Sequence, residues 1–489
     1  MAVSTASPFN HENNSPEKPG TLDQNTDDYG ADSSLRRMLS TRHITMIALG
    51  SSIGLGMWLG SGTSLRNGGP AAMFIAYFLA GSMAWSVNQA IGEMAVLYPT
   101  PSAFVQWSSM FVSPSVGFAV GWASWFGAFI NIANELQGAA TVLHFWTDKF
   151  FGEVEVVSST IKFGWRFIVV ISLIVVSAGG APNRKTTGFE YWNAMPFTNG
   201  FKGFLGVMPT CIFAMSGTES AALTAAETQN PRRSVPTAVR SIWMRLGLFY
   251  ILGALAISIT VSPQDPNLFG GDGGNNSPFI VAYQNAGIPV LAHMTNAVIF
   301  LSVLSSGSIS SFNGSRTLVG LSHLDIAPKL FSQADSRGRP LAGLAITLLG
   351  GSLAYLNVSN SGAEVFTWLS NITSLFSLFT WGALSASHLR MRCAWKIQGR
   401  PDSDLPWRSR SYPYASWWAL IWCVVLIGVE FYLAVWPLNM ESSVSHFFAN
   451  YVSAVLVVGV YFGARAWYRG SWWVDLNEVD LDRKRRFYH

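Results

Sequence analysis

Charged residues are scarce in this chain: Asp, Glu, Lys and Arg together make up 12% of its 489 residues. A soluble domain usually carries about 25% charged residues. Apolar residues account for 49%, and there are 20 Trp, a residue that is enriched at both interfaces of a membrane. This composition excludes an ordinary soluble domain and indicates that lipid surrounds much of the folded chain.

Cysteine is also rare. The three cysteines, Cys211, Cys393 and Cys423, lie in or beside apolar segments and have neither paired nor metal-ligand spacing. They are therefore predicted to be small packing residues rather than members of disulfides or a metal site. No nucleophile–base pair, metal cluster or phosphate-binding loop is evident. The sequence predicts no enzyme, no cofactor and no nucleic-acid partner.

Large apolar side chains are nearly absent from the first 35 residues, which are rich in Ser, Asn, Asp, Pro and Gly. Such a segment buries too little apolar surface to become ordered, and we expect a disordered tail over residues 1–40. No signal peptide precedes the first apolar run, so we expect that run to be retained as a membrane span. Residues 41–470 would form the transmembrane domain and residues 471–489 a C-terminal tail.

Eleven apolar segments are long enough to cross a bilayer core of about 30 Å, which takes about 20 helical residues. They cover residues 44–65, 70–97, 115–146, 156–180, 203–228, 240–262, 286–312, 341–358, 362–387, 415–437 and 446–468. Only helices satisfy the backbone polar groups of an open chain in lipid. The sequence therefore predicts an all-α polytopic membrane protein.

Clusters of Lys and Arg predict which loops are cytoplasmic. They occur at residues 36–42, 232–245, 316–339, 390–410 and 483–486, and they predict that both termini are cytoplasmic. One place conflicts with this pattern. The third span ends outside and the span at 203–228 begins outside, so the segment at 156–180 would begin and end on the same side. Either that segment is not a simple span, or a helix is missing near residues 146–151.

The first span contains the sequence GSSIGLG at residues 50–56. Its three glycines and two serines weaken a helix, since each Gly costs about 1 kcal/mol relative to Ala. An unwound stretch exposes backbone N–H groups at the N-terminus of a half-helix, which favours a carboxylate. The glycines also form GxxxG pairs, Gly50 with Gly54 and Gly56 with Gly60, which favour close helix packing. The pattern alone leaves both interpretations open.

A second interruption, FAMSGTE at residues 213–219, lies within the fifth apolar segment. Broken spans in corresponding positions of two halves are the best indication of a transporter site that a sequence gives. The first span opens one half of the chain, and this span opens the other. Together they favour a transporter over coincidence.

Three ionisable residues stand out within the apolar segments: Glu135, Lys162 and Glu219. Such residues are costly in a membrane and commonly mark substrate or proton pathways. Glu135 shares a helix face with Asn131, and the alternative role of this face is hydrogen bonding that only holds helices together. Lys162 lies near the start of its segment with Arg166, so its alternative is to extend to the interface.

Serine is frequent in the seventh apolar segment. The residues are Ser302, Ser305, Ser306, Ser308, Ser310 and Ser311. They would either line a cavity or allow close helix packing, and the sequence does not separate the two roles.

Several blocks of this chain, taken in order, resemble the fungal amino acid permeases of the amino acid–polyamine–organocation superfamily. The main blocks are GSSIGLGMWLGSG (50–62), NGGPAA (67–72), QAIGEMAVLYP (89–99), NELQGAATVLHFW (134–146), FAMSGTESAALTAAETQNPRRSVPTAV (213–239) and AGIPVLAHMTNAVIFLSVLSSGSISSFNGSRTL (286–318). The resemblance implies a LeuT-like fold of twelve spans, with two inverted repeats of five spans and two further C-terminal helices. It also implies proton-coupled import of amino acids through a multi-pass protein, expected in the plasma membrane.

The resemblance also implies roles for individual residues. The backbone would hold the substrate α-carboxylate at Ser52, Ile53, Gly54, Leu55 and Gly56. The α-amino group and the pocket wall would belong to Phe213, Ala214, Ser216 and Gly217. Lys162 matches a lysine that bacterial relatives use in proton coupling, and Glu135 and Glu219 match acidic positions in the third and sixth spans. Leu55 replaces a small polar residue common in the family, which is expected to reshape the pocket.

The family pattern places the missing helix. A whole fourth span normally separates a block like HFWTDK (144–149) from one like FGEVEVVSSTIK (151–162), whereas the two blocks are fused here. About thirty residues, enough for one span and its loops, are absent. We therefore predict eleven spans where the family has twelve, and poor transport or none.

Two other functions stay open at this stage. One is a nutrient sensor that binds without transporting, although the short predicted tails favour a transporter. The other is transport of polyamine or carnitine-like solutes, which would need more acidic groups facing the pocket than Glu135 and Glu219. The predicted partners are thus an amino acid substrate, the proton and the lipid bilayer.

Overall fold

The structure, a computed structural model, describes residues 54–100, 102–143, 156–219, 231–269, 276–335, 339–358, 362–438, 441–469, 471–483 and 485. Across these residues the regular secondary structure is helical and contains no β-strand. The predicted N-terminal tail, Ser52, Ile53 and the junction at 146–151 lie outside the described residues.

The helices of the first half of the chain are α1 (Leu55–Trp58), α2 (Gly60–Gly68), α3 (Pro70–Leu97), α4 (Ala103–Phe111), α5 (Pro114–Leu143) and α6 (Val156–Ser177). After the short α7 (Glu190–Ala194) come α8 (Gly200–Met215), α9 (Pro231–Arg245), a π-helical turn (Leu246–Ile251), α10 (Leu252–Ser258), α11 (Pro278–Asn285) and α12 (Pro289–His323). The last helices are α13 (Leu341–Leu348), with a 3₁₀ extension (Leu349–Val358), α14 (Gly362–Ile397), α15 (Tyr414–Val435) and α16 (Val444–Tyr468).

Some of these helices coincide with predicted spans, whereas others differ from them by ten residues or more: α12 ends at His323 rather than at 312, and α14 ends at Ile397 rather than at 387. The span predicted at 70–97 coincides with α3, because Gly69 turns the chain with φ +85° and Pro70 suits the first helical position. Six of the described helices are long and apolar enough to cross a bilayer, and three more apolar helices are shorter. The all-α polytopic membrane fold is confirmed, whereas the count of eleven spans stays a prediction.

Helix α5 lies at the centre of the bundle, in contact with α4, α12, α14 and α16. Small residues allow these helices to approach closely. A Cβ added to Gly314 of α12 would lie 2.5 Å from the side chain of Thr347 and 3.2 Å from that of Ala128 on α5. The polar side chains of Asn134 and Glu135 on α5 are consequently buried between helices.

One end of the bundle holds a buried ion cluster. Glu93 of α3 is 1% exposed, and its Oε2 accepts a hydrogen bond from the Ser409 backbone N–H at 2.8 Å. The same oxygen lies 3.4 Å from Nε2 of His388, and Oε1 lies 3.4 Å from Nε of Arg392. We call this end, where α3 and α14 both finish, the basic end.

The C-terminal segment packs on the basic end rather than standing apart from it. The Tyr98 hydroxyl, just after α3, donates to the Leu481 carbonyl at 2.9 Å. The Gln398 amide, just after α14, donates to the Leu476 carbonyl at 3.1 Å. Leu481 is fully buried, so the segment joins α3 to α14.

Helix α5 starts at the basic end and finishes at the opposite end. The Val112 carbonyl, just before α5, accepts a hydrogen bond from the Val474 N–H of the C-terminal segment at 2.9 Å. Near its other end, Gln137 donates to the Gly362 carbonyl at the start of α14. Because α14 finishes at the basic end, α5 and α14 are antiparallel.

Helix α6 runs in the same direction as α5. The combined helix α9–α10 starts at the basic end, where Val239 lies against Gly92, and it therefore finishes at the opposite end. Ser177, the last residue of α6, donates to the Ile259 carbonyl just after α10 at 3.3 Å. It follows that α5 ends at the end opposite the basic end, whereas α6 begins at the basic end.

Candidate functional site

Helix α8 stops within the bundle rather than at its end. Its last residue is Met215, after which Ser216 is extended (φ −61°, ψ 149°) and Gly217 has φ +88°. Gly adopts a positive φ without steric cost. Gly217 therefore favours the end of the helix at the interruption that the sequence predicted. The Ser216 hydroxyl donates back to the Phe213 carbonyl at 2.7 Å and satisfies one of the carbonyls at the helix end.

The start of α1 touches the end of α8. Gly56 of α1 packs so closely on α8 that an added Cβ would lie 2.4 Å from Cα of Ala214. Two tyrosines fix this contact: Tyr77 donates to the Gly56 carbonyl at 3.3 Å and Tyr250 to the Ala214 carbonyl at 2.7 Å. The contact joins the two stretches that the sequence predicted to be unwound.

The predicted substrate-binding residues are thus brought together as far as the structure describes them. On the first stretch, Gly54 is extended (φ −116°, ψ −160°) and Leu55 is fully buried at the start of α1. On the second, Phe213 and Ala214 are buried, and Ser216 and Gly217 are half-buried.

Glu135 reaches this contact from α5. Its side chain is 3% exposed, and Oε1 accepts a hydrogen bond from the Ser306 hydroxyl of α12 at 2.7 Å. A Cβ on Gly54 would lie 2.5 Å from the same Oε1, so glycine at this position leaves room for the carboxylate. We call the face of α5 that carries Asn131 and Glu135 the polar stripe; its residue Glu135 therefore faces the start of α1.

A cavity of about 90 Å³ opens beside the interruption of α8. Ser216, Gly217 and Glu219 line one side, and Asn131 and Ser310 line the other, with the Asn131 amide donating to the Ser310 hydroxyl at 2.7 Å. Hydroxyls, amides and one carboxylate suit a polar ligand or a proton pathway. Glu219 is therefore placed in the same region as the candidate site, next to the stripe of α5.

The serines of α12 differ in their hydrogen-bond partners. Ser306 and Ser310 bond to side chains of α5, which fits the lining of a site. Ser308 and Ser311 instead donate to carbonyls of their own helix at 3.1 and 2.9 Å.

Helix α6 carries two basic residues one turn apart. The side chain of Lys162 lies outside what the structure describes, so its role stays a prediction. Arg166 is 1% exposed and does not extend to the interface. Its guanidinium carbon lies 3.4 Å from the centre of the Trp58 ring and 5.3 Å from that of Phe279, within cation–π distance. Arg166 thus adds a cation beside α1. In the sequence, the only indication of a role for Arg166 is its position one turn after Lys162.

Three aromatic rings lie between the candidate site and the end opposite the basic end. Phe366, near the start of α14, meets Phe213 and Phe269 edge-on, with ring centroids 5.7 and 5.4 Å apart. Edge-to-face contacts are favourable for aromatic pairs. Phe213 therefore belongs both to the site and to this aromatic wall.

The start of α1 meets the end of α8 inside a helical bundle, beside a buried carboxylate, and this arrangement defines a multi-pass membrane transporter of the LeuT-like type. A solved manganese transporter of Eremococcus coleocola shares the fold, with a TM-score of 0.50 over 87% of this chain and 93% of its own, at 14% identity. The chain belongs to the amino acid permease family, whose model matches residues 43–151 and 147–476.

Individual relatives are similar over nearly the whole chain. The amino-acid permease GAP5 of Candida albicans is 37% identical over 93% of this chain and 78% of its own. The general amino-acid permease GAP2 of the same organism is 36% identical over 93% and 82%. The cationic amino acid transporter 1 of Schizosaccharomyces pombe is 34% identical over 93% and 82%. The family and the fold expected from the sequence are confirmed, and amino acid transport is the function of that family.

Proposed function

We propose that this protein imports amino acids together with protons across the plasma membrane, with both termini in the cytoplasm. The observation that carries the proposal is the contact of Gly56 with Ala214 next to the carboxylate of Glu135. The proximity of the start of α1, the end of α8 and an ionisable group supports a coupled transporter. The basic clusters of the loops support the orientation.

The substrate would lie between the two interruptions. The N-terminus of a half-helix favours negative charge, so the backbone from Ser52 to Gly56 would hold the α-carboxylate. The C-terminus of a half-helix favours positive charge, so the end of α8, from Phe213 to Gly217, would hold the α-ammonium group.

Glu135 is the residue that best fits proton coupling. Because its carboxylate lies against Gly54, a change in its charge acts directly on the backbone of the first interrupted helix. Glu219 would extend the polar pathway through the cavity that it lines. Lys162 would act from α6, one turn before Arg166.

We also propose that the chain lacks a fourth helix and therefore transports poorly. Helices α5 and α6 run in the same direction, and only the twelve residues from 144 to 155 connect Leu143 to Val156. A helix across a core of about 30 Å needs about 20 residues. The two matches to the family model meet at residues 147–151, which supports the same location for the gap.

Uptake into liposomes tests both proposals. The chain is compared with a version that carries the fourth helix of GAP5 after Lys149, and with a control version that carries an apolar helix of the same length and shuffled sequence. With labelled amino acids and an inward proton gradient, we expect the original chain to reach less than a tenth of the uptake of the restored version. Uptake by the version with the shuffled helix should stay well below uptake by the restored version. The shuffled helix corrects the direction of α6 but does not supply the surface that packs on the other helices.

Two results would contradict the proposals separately. Equal uptake by the original and restored versions would show that no functional helix is missing. Uptake by the restored version that does not depend on the proton gradient would refute proton coupling. Binding of amino acids without any uptake would instead favour a sensor.

A further inference from the structure

A second polar cavity, of about 420 Å³, lies between α2, α8, α14, α15 and α16. It is near the start of α14 and hence at the end opposite the basic end. Two of its walls, α15 and α16, are the C-terminal helices that follow the two repeats. The polar residues lining it are Thr63, Asn67, Thr210, Glu364, Thr367, Asn371, Glu430, His446 and Asn450.

Glu430 is the central feature of this cavity. It lies in the last third of the apolar helix α15 (Tyr414–Val435) and is 5% exposed. Its Oε1 accepts a hydrogen bond from the Ser374 hydroxyl at 2.5 Å, whereas the buried Oε2 has no hydrogen-bond partner among the described residues. A buried carboxylate oxygen without a partner is costly, and this one belongs to a residue that lines an open space.

A chain of hydrogen bonds fixes the wall beside Glu430. The Asn371 amide donates to Oδ1 of Asn450 at 2.7 Å, and the Asn450 amide donates to the His446 carbonyl at 2.8 Å. The hydroxyl of Thr63, on the facing wall, is buried without a partner among the described residues. The cavity therefore combines a positioned amide wall with unsatisfied polar atoms.

The charge of the lining selects the ligand. Glu364 joins Glu430 in the cavity, and none of the described residues that line it is Lys or Arg. Lys202 lies beside it, but its ammonium group donates to the Pro437 carbonyl at 3.0 Å. The volume falls in the range of small-molecule sites, about 300–1,000 Å³, and is far larger than a bare metal ion needs.

We propose that this cavity is a second binding site, which takes a small organic cation with its ammonium group on Glu430. The site is separate from the candidate substrate site. Thr210 lines the cavity one turn before Phe213, and Phe366 stands between them on α14, against Phe213. The inference goes beyond the proposed function, because it requires binding and not transport.

Binding of n-butylammonium to the purified full-length chain tests the site. The dissociation constant is obtained from the concentration dependence of thermal unfolding, since a ligand that binds only the folded state stabilises it. Butan-1-ol, which has the same chain length without the charge, is the matched ligand control. We expect binding of the alcohol to be at least tenfold weaker.

Glu430→Gln keeps the shape of the side chain and removes its charge. We expect it to weaken n-butylammonium binding at least tenfold, because a charge-assisted hydrogen bond is roughly twice as strong as a neutral one. Glu441→Gln is the matched control, since it removes one negative charge from an exposed residue outside the cavity and should leave the dissociation constant unchanged. Thr367→Phe fills the cavity while keeping Glu430, and it should also abolish binding.

The outcomes are decisive in either direction. Loss of binding in Glu430→Gln and Thr367→Phe, with Glu441→Gln unaffected, supports the site. If the original chain binds the amine no better than the alcohol, or if Glu430→Gln binds it as tightly, the proposal is wrong. Should Glu430→Gln fail to fold, unchanged binding by Thr367→Phe would overturn the proposal by itself.

Discussion

Replacing Gly56 by Ala tests the contact on which the candidate site is built. The added Cβ would lie 2.4 Å from Cα, 2.7 Å from Cβ and 2.9 Å from the backbone nitrogen of Ala214. Two of these three atoms are backbone, so no side-chain rotation relieves the clash. Ordinary contact begins at about 3.4 Å, and α1 and α8 would have to separate by roughly 3.4 − 2.4 = 1.0 Å.

The size of the effect follows from two opposing terms. Overpacking of this kind typically costs about 1–3 kcal/mol. Ala at a helical position gains about 1 kcal/mol over Gly, which offsets part of that cost. We therefore expect Gly56→Ala to lower the free energy of unfolding by up to about 2 kcal/mol. Separation of the helices would also strain the hydrogen bond from Tyr77 to the carbonyl of residue 56.

Gly62→Ala is the matched control on the same segment. Its nearest atoms, on Phe269 and Pro278, would all lie 3.4 Å from the added Cβ. The side chain fits there, and the helical preference of Ala should leave stability unchanged or slightly higher. Thermal unfolding of the two variants in the same detergent measures the difference. Gly56→Ala as stable as Gly62→Ala would refute the close contact between the two broken helices.

Two further predictions concern the basic end. Glu93→Ala removes the buried carboxylate that accepts the Ser409 N–H and lies beside His388 and Arg392, while Arg392 keeps its contact with Asp402. A buried donor left without its acceptor costs about 1–3 kcal/mol; a thermal shift no larger than that of Glu441→Ala would contradict this role. Asp482 accepts hydrogen bonds from Arg400, and this contact lowers the pKa of the Asp482 carboxyl below its ordinary value. Because the folded-state pKa is lowered, its contribution is present above the ordinary Asp pKa, about 3.9, and is lost as the pH falls through the lowered value. Both side chains are partly exposed, at 26% and 43%, so solvent screening limits the contribution to about 0.2–1 kcal/mol. We expect Asp482→Asn at neutral pH to lower the hydrogen-exchange protection factors of residues 474–482. Acidification should lower them in the original chain as well, after correction for the slower intrinsic exchange at low pH; unchanged protection factors would show that the pair does not hold the segment.

The sequence predicted most of the helical framework because its signals are local. Gly69 and Pro70 fix the start of α3, and the small residues Ser216 and Gly217 fix the interruption of α8. The proximity of the two interruptions followed from the family resemblance and could not be derived from spacing alone. Only the structure shows that Gly56 meets Ala214, because that contact joins residues 158 positions apart, 214 − 56.

Other features depended on partners that are distant in the sequence. The sequence pattern predicted no role for Arg166 itself, but Trp58 of α1 and Phe279 of α11 lie within cation–π distance of its guanidinium group. Glu93 and Glu430 also lie within apolar segments, so the signal that singled out Glu135 applied to them too. Their roles depend on His388 and on Ser374, which only the folded bundle brings near.

The docked C-terminal segment has a practical consequence for handling the protein. Its residues from Val474 to Leu481 fasten the end of α3 and the start of α5 to the end of α14. A purification tag or fluorescent protein that replaces the residues after Tyr468 would remove this strap and leave the Glu93 cluster to join α3 to α14 at that end. A fusion placed after His489 keeps it, so the choice of junction decides whether the purified protein retains this second connection between its halves.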